Sequence, residues 1–100
     1  MKRVVLGRTK LEVSVLGLGA GGDSRLGLPQ GDAQRSVRLV RTALDHGIDF
    51  IDTAEAYGTE EVVGQGIRQF GRDKLVLSTK KTTFQAERVE PADVVRSLEA

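Results

Sequence analysis

Three side chains in this sequence have types and positions suited to proton transfer: Asp52, Tyr57 and Lys80. Asp52 closes one short apolar run, Lys80 follows the next one, and Tyr57 lies in the segment between them. An ammonium beside a phenol favours its ionised form, and a carboxylate beside the ammonium orients it and partly neutralises it. A phenol tuned in this way can protonate a carbonyl oxygen as that oxygen becomes an alkoxide.

Each of these residues also has an ordinary structural interpretation. Asp52 fits a simple ion pair or a turn cap, and Tyr57 fits a packing residue at a rim. Because Lys81 adjoins Lys80, one of the two lysines fits a solvated surface charge. Other polar residues are expected to be solvated, capping or helix-end side chains outside any reaction: Glu55, Glu60 and His46.

The elements that must position these side chains alternate along the chain. Residues 3–14 fit a β-hairpin with a glycine-containing turn at residues 7–10. Three short apolar strands are then predicted at residues 15–19, 48–52 and 75–79. Helices are predicted to begin after Asp32, at the cap Thr59 and at Pro91, and loops at residues 23–31 and 53–58.

This alternation predicts a parallel sheet covered by helices, in either a closed barrel or an open doubly wound sheet. In both architectures the carboxyl ends of neighbouring strands carry the functional site. We therefore expect Asp52, Tyr57 and Lys80 to meet at that edge.

The apolar residues of each helix are spaced to form one buried face. The predicted buried residues are, in the first helix, Ala33, Val37, Val40 and Leu44; in the second, Val63, Ile67 and Phe70; in the third, Val94, Val95 and Leu98.

A dinucleotide-binding pattern is also present, because Gly17, Gly19 and Gly22 have the spacing GxGxxG and Asp52 closes the next strand. In that fold the third glycine opens a helix on which the pyrophosphate rests. Here the predicted helix starts ten residues after Gly22, and Asp52 lies thirty residues after it, against the usual separation of about 20. The favoured alternative is a glycine loop that passes close to a flat group.

Composition excludes several classes of function. The chain has 100 residues, 39% hydrophobic and 29% charged, with no cysteine, one histidine and a net charge of +1. These values exclude a disulfide scaffold, an all-histidine metal site and a basic nucleic-acid surface. No apolar run approaches the ~18 residues of a membrane span, and no signal peptide precedes the first strand. We expect a cytoplasmic protein with no metal, membrane or nucleic-acid partner.

The sequence resembles the aldo-keto reductase family over essentially its whole length. The matching motifs are Gly-Arg-Thr and Leu-x-Val-Ser within residues 7–14, Leu-Gly-Leu-Gly at 16–19, Gly-Ile-Asp-Phe-Ile-Asp-Thr-Ala-x-x-Tyr-Gly-x-x-Glu at 47–61 with a glycine at 64, Ser-Thr-Lys at 78–80 and Ser-Leu-Glu at 97–99.

The resemblance implies a (β/α)8 barrel that reduces small aldehydes and ketones with NADPH, NADH being the alternative, and without a metal. It implies that Asp52, Tyr57 and Lys80 are three of four catalytic residues, with Tyr57 as the general acid. It further implies that Gly19, Ala20 and Gly21, together with Asp52, lie beside the nicotinamide.

The chain departs from the family pattern in three respects. Ala20 and Gly21 stand where the family often has a threonine and an aromatic residue, and the interval from Tyr57 to Gly64 is one residue shorter than its common form. The fourth catalytic residue, a histidine after the following strand, cannot be His46, which precedes Asp52.

The length is also short for such a barrel, which typically needs ~250 residues. We therefore expect residues 1–100 to be the N-terminal part of one barrel domain, with a hairpin at 1–14 and about three βα units at 15–100 that do not close the barrel. Alone, this part is expected to be inactive. The alternative is a binding or interaction module that has the N-terminal part of the barrel but does not catalyse a reaction.

Overall fold

A computed structural model of the protein describes residues 1–82 and 90–99. The chain begins with an antiparallel hairpin of β1 (Arg3–Val5) and β2 (Glu12–Ser14), in which Val4 is opposite Val13. The predicted hairpin is therefore confirmed.

A parallel sheet of three strands forms the centre of the described chain. Its strands are β3 (Leu18–Gly19), β4 (Phe50–Asp52) and β5 (Val76–Ser78), in that spatial order. Gly19 is in register with Asp52, and Asp52 with Ser78, so all three strands end at one edge. The prediction of a parallel sheet is confirmed.

All three strands are shorter than the predicted runs at 15–19, 48–52 and 75–79. β3 is shorter than the predicted strand at 15–19, because residues 15–17 turn the chain from the hairpin into the sheet. Val15 donates its N–H to the Lys2 oxygen, and the Ser14 hydroxyl donates to the Leu16 oxygen. β5 is only half-buried, since among the described strands only β4 adjoins it.

Three α-helices follow the strands: α1 (Ala33–Asp45), α2 (Glu60–Ile67) and α3 (Pro91–Glu99). Asp32 caps α1 as predicted, because its Oδ1 accepts the N–H of Arg35 at 2.7 Å. Gly47 follows the C-terminal end of α1 in a left-handed conformation at φ 93°, which is typical of a glycine that ends a helix. Ala100, the residue after α3, lies outside the described residues.

The predicted buried faces are confirmed in part. Val37, Val40, Leu44 and Val63 are buried, whereas Ala33 is exposed on the first turn of α1 and Val95 is exposed on α3. Ile67, Phe70 and Val94 are half-buried, and the side chain of Leu98 lies outside the described residues. Val62, which was not predicted, is buried beside Val63.

Both predicted loops contain short helical turns. Arg25–Gln30 forms 3₁₀ turns that place Leu26 in the core, with positive φ at Leu26 and Gly27. Glu55–Tyr57 forms a single 3₁₀ turn closed by Gly58, whose φ is 71°. Turns of three to six residues are too short to show a helical hydrophobic period, so the sequence did not reveal them.

Asp49 connects the hairpin, through hydrogen bonds, to the end of the sheet opposite the candidate site. Its carboxylate accepts the N–H of Ser14 at 2.8 Å and a guanidinium N–H of Arg3 at 2.7 Å. Burial of the Asp49 carboxylate raises its pKa, but these hydrogen bonds outweigh that effect and hold the pKa below its ordinary value.

Candidate active site

Asp52 and Lys80 form an ion pair at the carboxyl edge of the sheet. Asp52 ends β4, and Lys80 lies two residues after the end of β5. The Lys80 Nζ lies 2.7 Å from Asp52 Oδ1 and donates a second hydrogen bond, of 2.9 Å, to the backbone oxygen of Thr53. The lysine is thus held at two points by consecutive residues.

This pair shifts the pKa of both partners. The hydrogen bond from Lys80 is the main cause that lowers the pKa of Asp52. The hydrogen bond to Asp52 is the main cause that raises the pKa of Lys80, and Tyr57 adds a smaller contribution in the same direction. Lys80 therefore stays an ammonium and Asp52 a carboxylate across the neutral range.

Tyr57 lies beside this ammonium. The 3₁₀ turn Glu55–Tyr57 is anchored to the segment after β5, since the Glu55 N–H donates to the Lys80 oxygen at 3.0 Å. The half-buried tyrosine ring has its centroid 5.4 Å from the Lys80 Nζ, within the range of a cation–π contact. The three residues expected to converge do so.

The segment after β3 forms one wall of this site. Gly19 is exposed, and a Cβ at this position would meet no atom within 4 Å. Ala20 is fully buried and donates its N–H to the Asp52 oxygen at 2.9 Å. At Gly21 a Cβ would lie 2.7 Å from Cζ of Tyr57. The loop thus approaches a flat group, the Tyr57 ring, but it does so at Gly21 and not at the pattern glycines Gly19 and Gly22, where a Cβ would meet no atom within 4 Å.

Two buried threonines at the site, Thr53 and Thr59, were not predicted to be site residues. The Thr59 hydroxyl donates to the Ala20 oxygen at 3.0 Å and lies 3.2 Å from the Thr53 hydroxyl. Thr59 was predicted to cap α2, and it occupies the N-cap position, but its side chain makes no capping bond because it is turned towards Ala20. The position of Thr59 two residues after Tyr57 was the available signal.

The acidic residues around Tyr57 are exposed, as expected, but they are paired. Glu55 forms an ion pair with Lys81 at 3.0 Å, and Glu60 accepts the Thr79 hydroxyl at 2.6 Å. His46 is the C-cap residue of α1, with Nδ1 2.8 Å from the Thr42 oxygen, which confirms it as a helix-end residue.

The structure does not have the geometry of a dinucleotide-binding loop. The helix that should begin near Gly22 begins at Ala33, after the intervening 3₁₀ turns. Asp52, which would hold a ribose hydroxyl in that fold, is engaged by Lys80.

We also searched residues 1–82 and 90–99 for metal sites and membrane spans. No group of three or more His, Cys, Asp or Glu side chains in these residues could hold a metal ion. None of the helices in these residues has the length and apolar character of a transmembrane helix.

Comparison with known proteins agrees with this geometry. The family model described as "Aldo/keto reductase family" matches residues 15–100. This chain belongs to that family. Among curated relatives, aldo-keto reductase YhdN of Bacillus subtilis is 41% identical over 80% of this chain and 25% of its own length. An uncharacterized oxidoreductase of the same organism, YrpG, is 40% identical over 80% of this chain and 26% of its own length.

A third relative has a different description. It is a probable voltage-gated potassium channel subunit beta of Arabidopsis thaliana, 38% identical over 75% of this chain and 24% of its own length. The chain thus spans about a quarter of the length of these curated relatives.

Solved structures show the same family. The thermostable aldo-keto reductase Tm1743, crystallised with the inhibitor epalrestat, superposes with a TM-score of 0.79 at 37% identity, covering 99% of this chain and 36% of its own. The structure of PA4992 of Pseudomonas aeruginosa gives a TM-score of 0.69 at 34% identity, over 97% of this chain and 40% of its own. The fold is therefore α/β, and the unclosed sheet of the described residues is consistent with part of a family barrel.

Proposed function

We propose that this chain provides the proton-donating residues of the active site of a nicotinamide-dependent reductase of small aldehydes and ketones. Tyr57 is the general acid, and Lys80 and Asp52 tune and orient it. Membership of an oxidoreductase family gives the reaction class. The observation that carries the residue roles is the position of the Lys80 ammonium, 2.7 Å from Asp52 and 5.4 Å from the Tyr57 ring centroid.

The wall beside Tyr57 fits a flat cofactor ring. The space over Gly19 is open, while the Tyr57 ring already occupies the space over Gly21. Gly19 and Asp52 would line one side of a nicotinamide ring placed there, whereas Ala20 is fully buried and Gly21 lies against the Tyr57 ring, so these two would support the wall from behind. NADPH is the proposed cofactor and NADH the alternative, and when bound it supplies the hydride.

Residues of this chain then carry out the proton transfer to the substrate. The Tyr57 hydroxyl donates its proton to the carbonyl oxygen as negative charge develops there. The Lys80 ammonium stabilises the tyrosinate that remains. Asp52 holds that ammonium in place, because its carboxylate and the Thr53 oxygen take two of the three lysine protons.

We also propose that residues 1–100 by themselves lack measurable activity. The described sheet has three strands, and its β3 edge is unpaired. A closed barrel has eight strands and binds its ligands with loops contributed by several of them. The relatives, about three times as long, would supply these further loops.

Substitution of Tyr57 by Phe in the complete reductase tests the proposal. Phenylalanine keeps the ring on Gly21 and the contact with Lys80 but removes the transferable proton. We expect kcat for aldehyde reduction to fall by about 10²–10⁴-fold, the usual contribution of a positioned general acid. A loss smaller than about tenfold would contradict this role.

The second candidate is a non-catalytic interaction module, which the similarity to the probable channel subunit favours. In that case the complete protein would bind a partner chain, and Tyr57→Phe would leave this binding intact. Turnover of NADPH with an aldehyde by the complete wild-type protein, lost in Tyr57→Phe, excludes a purely non-catalytic role.

A further inference from the structure

One hydroxyl group connects the two segments that meet at the proposed proton donor. Thr59 is fully buried, and its Oγ1 lies 3.0 Å from the Ala20 oxygen and 3.2 Å from the Thr53 Oγ1. Ala20 belongs to the wall after β3, while Thr59 follows the turn that carries Tyr57. The bond therefore spans the site.

The direction of these hydrogen bonds follows from counting protons. A hydroxyl has one proton, and a carbonyl oxygen can only accept. The Thr59 hydroxyl donates its one proton to the Ala20 oxygen, so in its hydrogen bond with Thr53 the Thr53 hydroxyl must be the donor. The result is a directed chain from Thr53 through Thr59 to Ala20, in a buried place where an unpaired polar group is costly.

The acceptor of this chain belongs to the peptide plane that supports the tyrosine ring. The Ala20 carbonyl and the Gly21 N–H belong to one planar peptide group. A Cβ on Gly21 would lie within 2.8 Å of three atoms at the hydroxyl end of the Tyr57 ring. A rotation of this plane would therefore move the surface against which the phenol rests.

We propose that Thr59 is a positioning residue that fixes both the Tyr57 turn and the peptide plane beneath its ring, and so aims the phenol at the substrate oxygen. This inference rests on the proposed function, in which Tyr57 is the acid. Thr59 itself does not touch the reacting atoms. It acts through Ala20 and Gly21 on one side and through Gly58, in a left-handed conformation, on the other.

Two substitutions at Thr59 in the complete reductase separate the hydroxyl from the shape of the side chain. Thr59→Val keeps the shape and loses the hydrogen bonds, whereas Thr59→Ser keeps the hydroxyl. We expect the valine variant to lose about tenfold or more in kcat, as misplaced catalytic groups do, and the serine variant to stay within about threefold of wild type. Equal kcat in the valine variant and wild type would overturn the inference.

Two controls distinguish positioning from lost stability. Val40 is fully buried between α1 and α2, away from the site, so Val40→Ala should lower the melting temperature and leave kcat unchanged. Thr53→Val removes the donor to Thr59 but keeps the bond to Ala20, so its kcat loss should be smaller than that of Thr59→Val. If Thr59→Val does not fold, Thr59→Ala, which also removes the hydroxyl, replaces it with the same expected loss.

A spectroscopic measurement that does not depend on turnover distinguishes failure of this inference from failure of the proposed function. In each background, the near-UV circular dichroism spectrum of the complete reductase minus that of the same protein with Tyr57→Phe gives the signal of Tyr57, the one tyrosine among residues 1–100. We expect this signal in wild type and Thr59→Ser and its loss in Thr59→Val. An unchanged signal in Thr59→Val, or none in wild type, would overturn the inference. An inactive reductase with the expected signals would instead contradict only the proposed function.

Discussion

The ring of Tyr57 lies directly against Gly21. A Cβ at position 21 would be 2.7 Å from Cζ and 2.8 Å from Cε1 and Cε2 of the ring. Gly21 does not have a positive φ, so its glycine is required by close approach rather than by backbone conformation. Gly21, which lies between the pattern glycines Gly19 and Gly22, thus supports the ring of the proposed acid.

Gly21→Ala in the complete reductase should therefore displace the phenol from its position beside Lys80. We expect kcat to fall by about tenfold or more, because small misplacements of a catalytic group are costly. Steady-state kinetics with an aldehyde substrate measures the loss. Gly64→Ala is the matched control, since a Cβ there meets no atom within 4 Å, and it should keep the wild-type kcat.

The adjacent lysines should differ sharply in function. Lys80 contacts Asp52 and the Tyr57 ring, whereas Lys81 forms an ion pair with Glu55 away from the phenol. We expect Lys80→Met to lower kcat by about 100-fold, and Lys81→Met to change it by less than about threefold, as for a peripheral ion pair. Similar losses in the two variants would contradict the assignment of Lys80.

Two glycines of α2 should respond with opposite signs to the same substitution. Gly64 is exposed with free space around it, so Gly64→Ala should raise the free energy of unfolding by about 0.5–1 kcal/mol through helix propensity. At Gly66 a Cβ would lie 2.6 Å from Cβ and Cγ1 of Val40. Gly66→Ala should therefore cost about 1–3 kcal/mol through overpacking. Denaturant unfolding compares both variants with wild type, and stabilisation by Gly66→Ala would contradict this packing.

The Asp49 carboxylate should make the stability of the hairpin attachment depend on pH. Its pKa is below the ordinary value of 3.8 in the folded chain. Between the two pKa values the unfolded chain binds more protons than the folded one, so the free energy of unfolding falls as the pH falls. The contribution of Asp49 is fully present above about pH 4 and is lost as the pH drops through the folded pKa.

Asp49→Asn isolates this contribution. At neutral pH it should lower the free energy of unfolding by about 1–3 kcal/mol, because Arg3 loses its buried carboxylate partner. The difference from wild type should shrink as the pH falls below about 4. Glu12→Gln is the control, since Glu12 also pairs with Arg3 but is exposed, and its effect should stay below about 1 kcal/mol. A difference that does not change with pH would contradict the role of the Asp49 charge.

The periodic parts of the fold were predictable, and the aperiodic parts were not. The cap at Asp32 follows from the preference of aspartate for that position, and the buried positions Val37, Val40 and Leu44 follow from helical spacing. The 3₁₀ turn at Arg25–Gln30 has no such period, because its backbone includes positive φ at Leu26 and Gly27. Thr59 likewise looked like a cap, because sequence cannot tell which acceptor a hydroxyl will find.

The sequence by itself determined the strand and helix order, the parallel sheet and the convergence of Asp52, Tyr57 and Lys80. These features depend on hydrophobic periodicity and on the rule that parallel strands end at one edge. Only the tertiary structure decided that Gly21 supports the phenol, that Thr59 bonds to Ala20 and that Asp49 fastens the hairpin. Each of these is a contact between segments distant in the chain, set by packing geometry that no local pattern encodes.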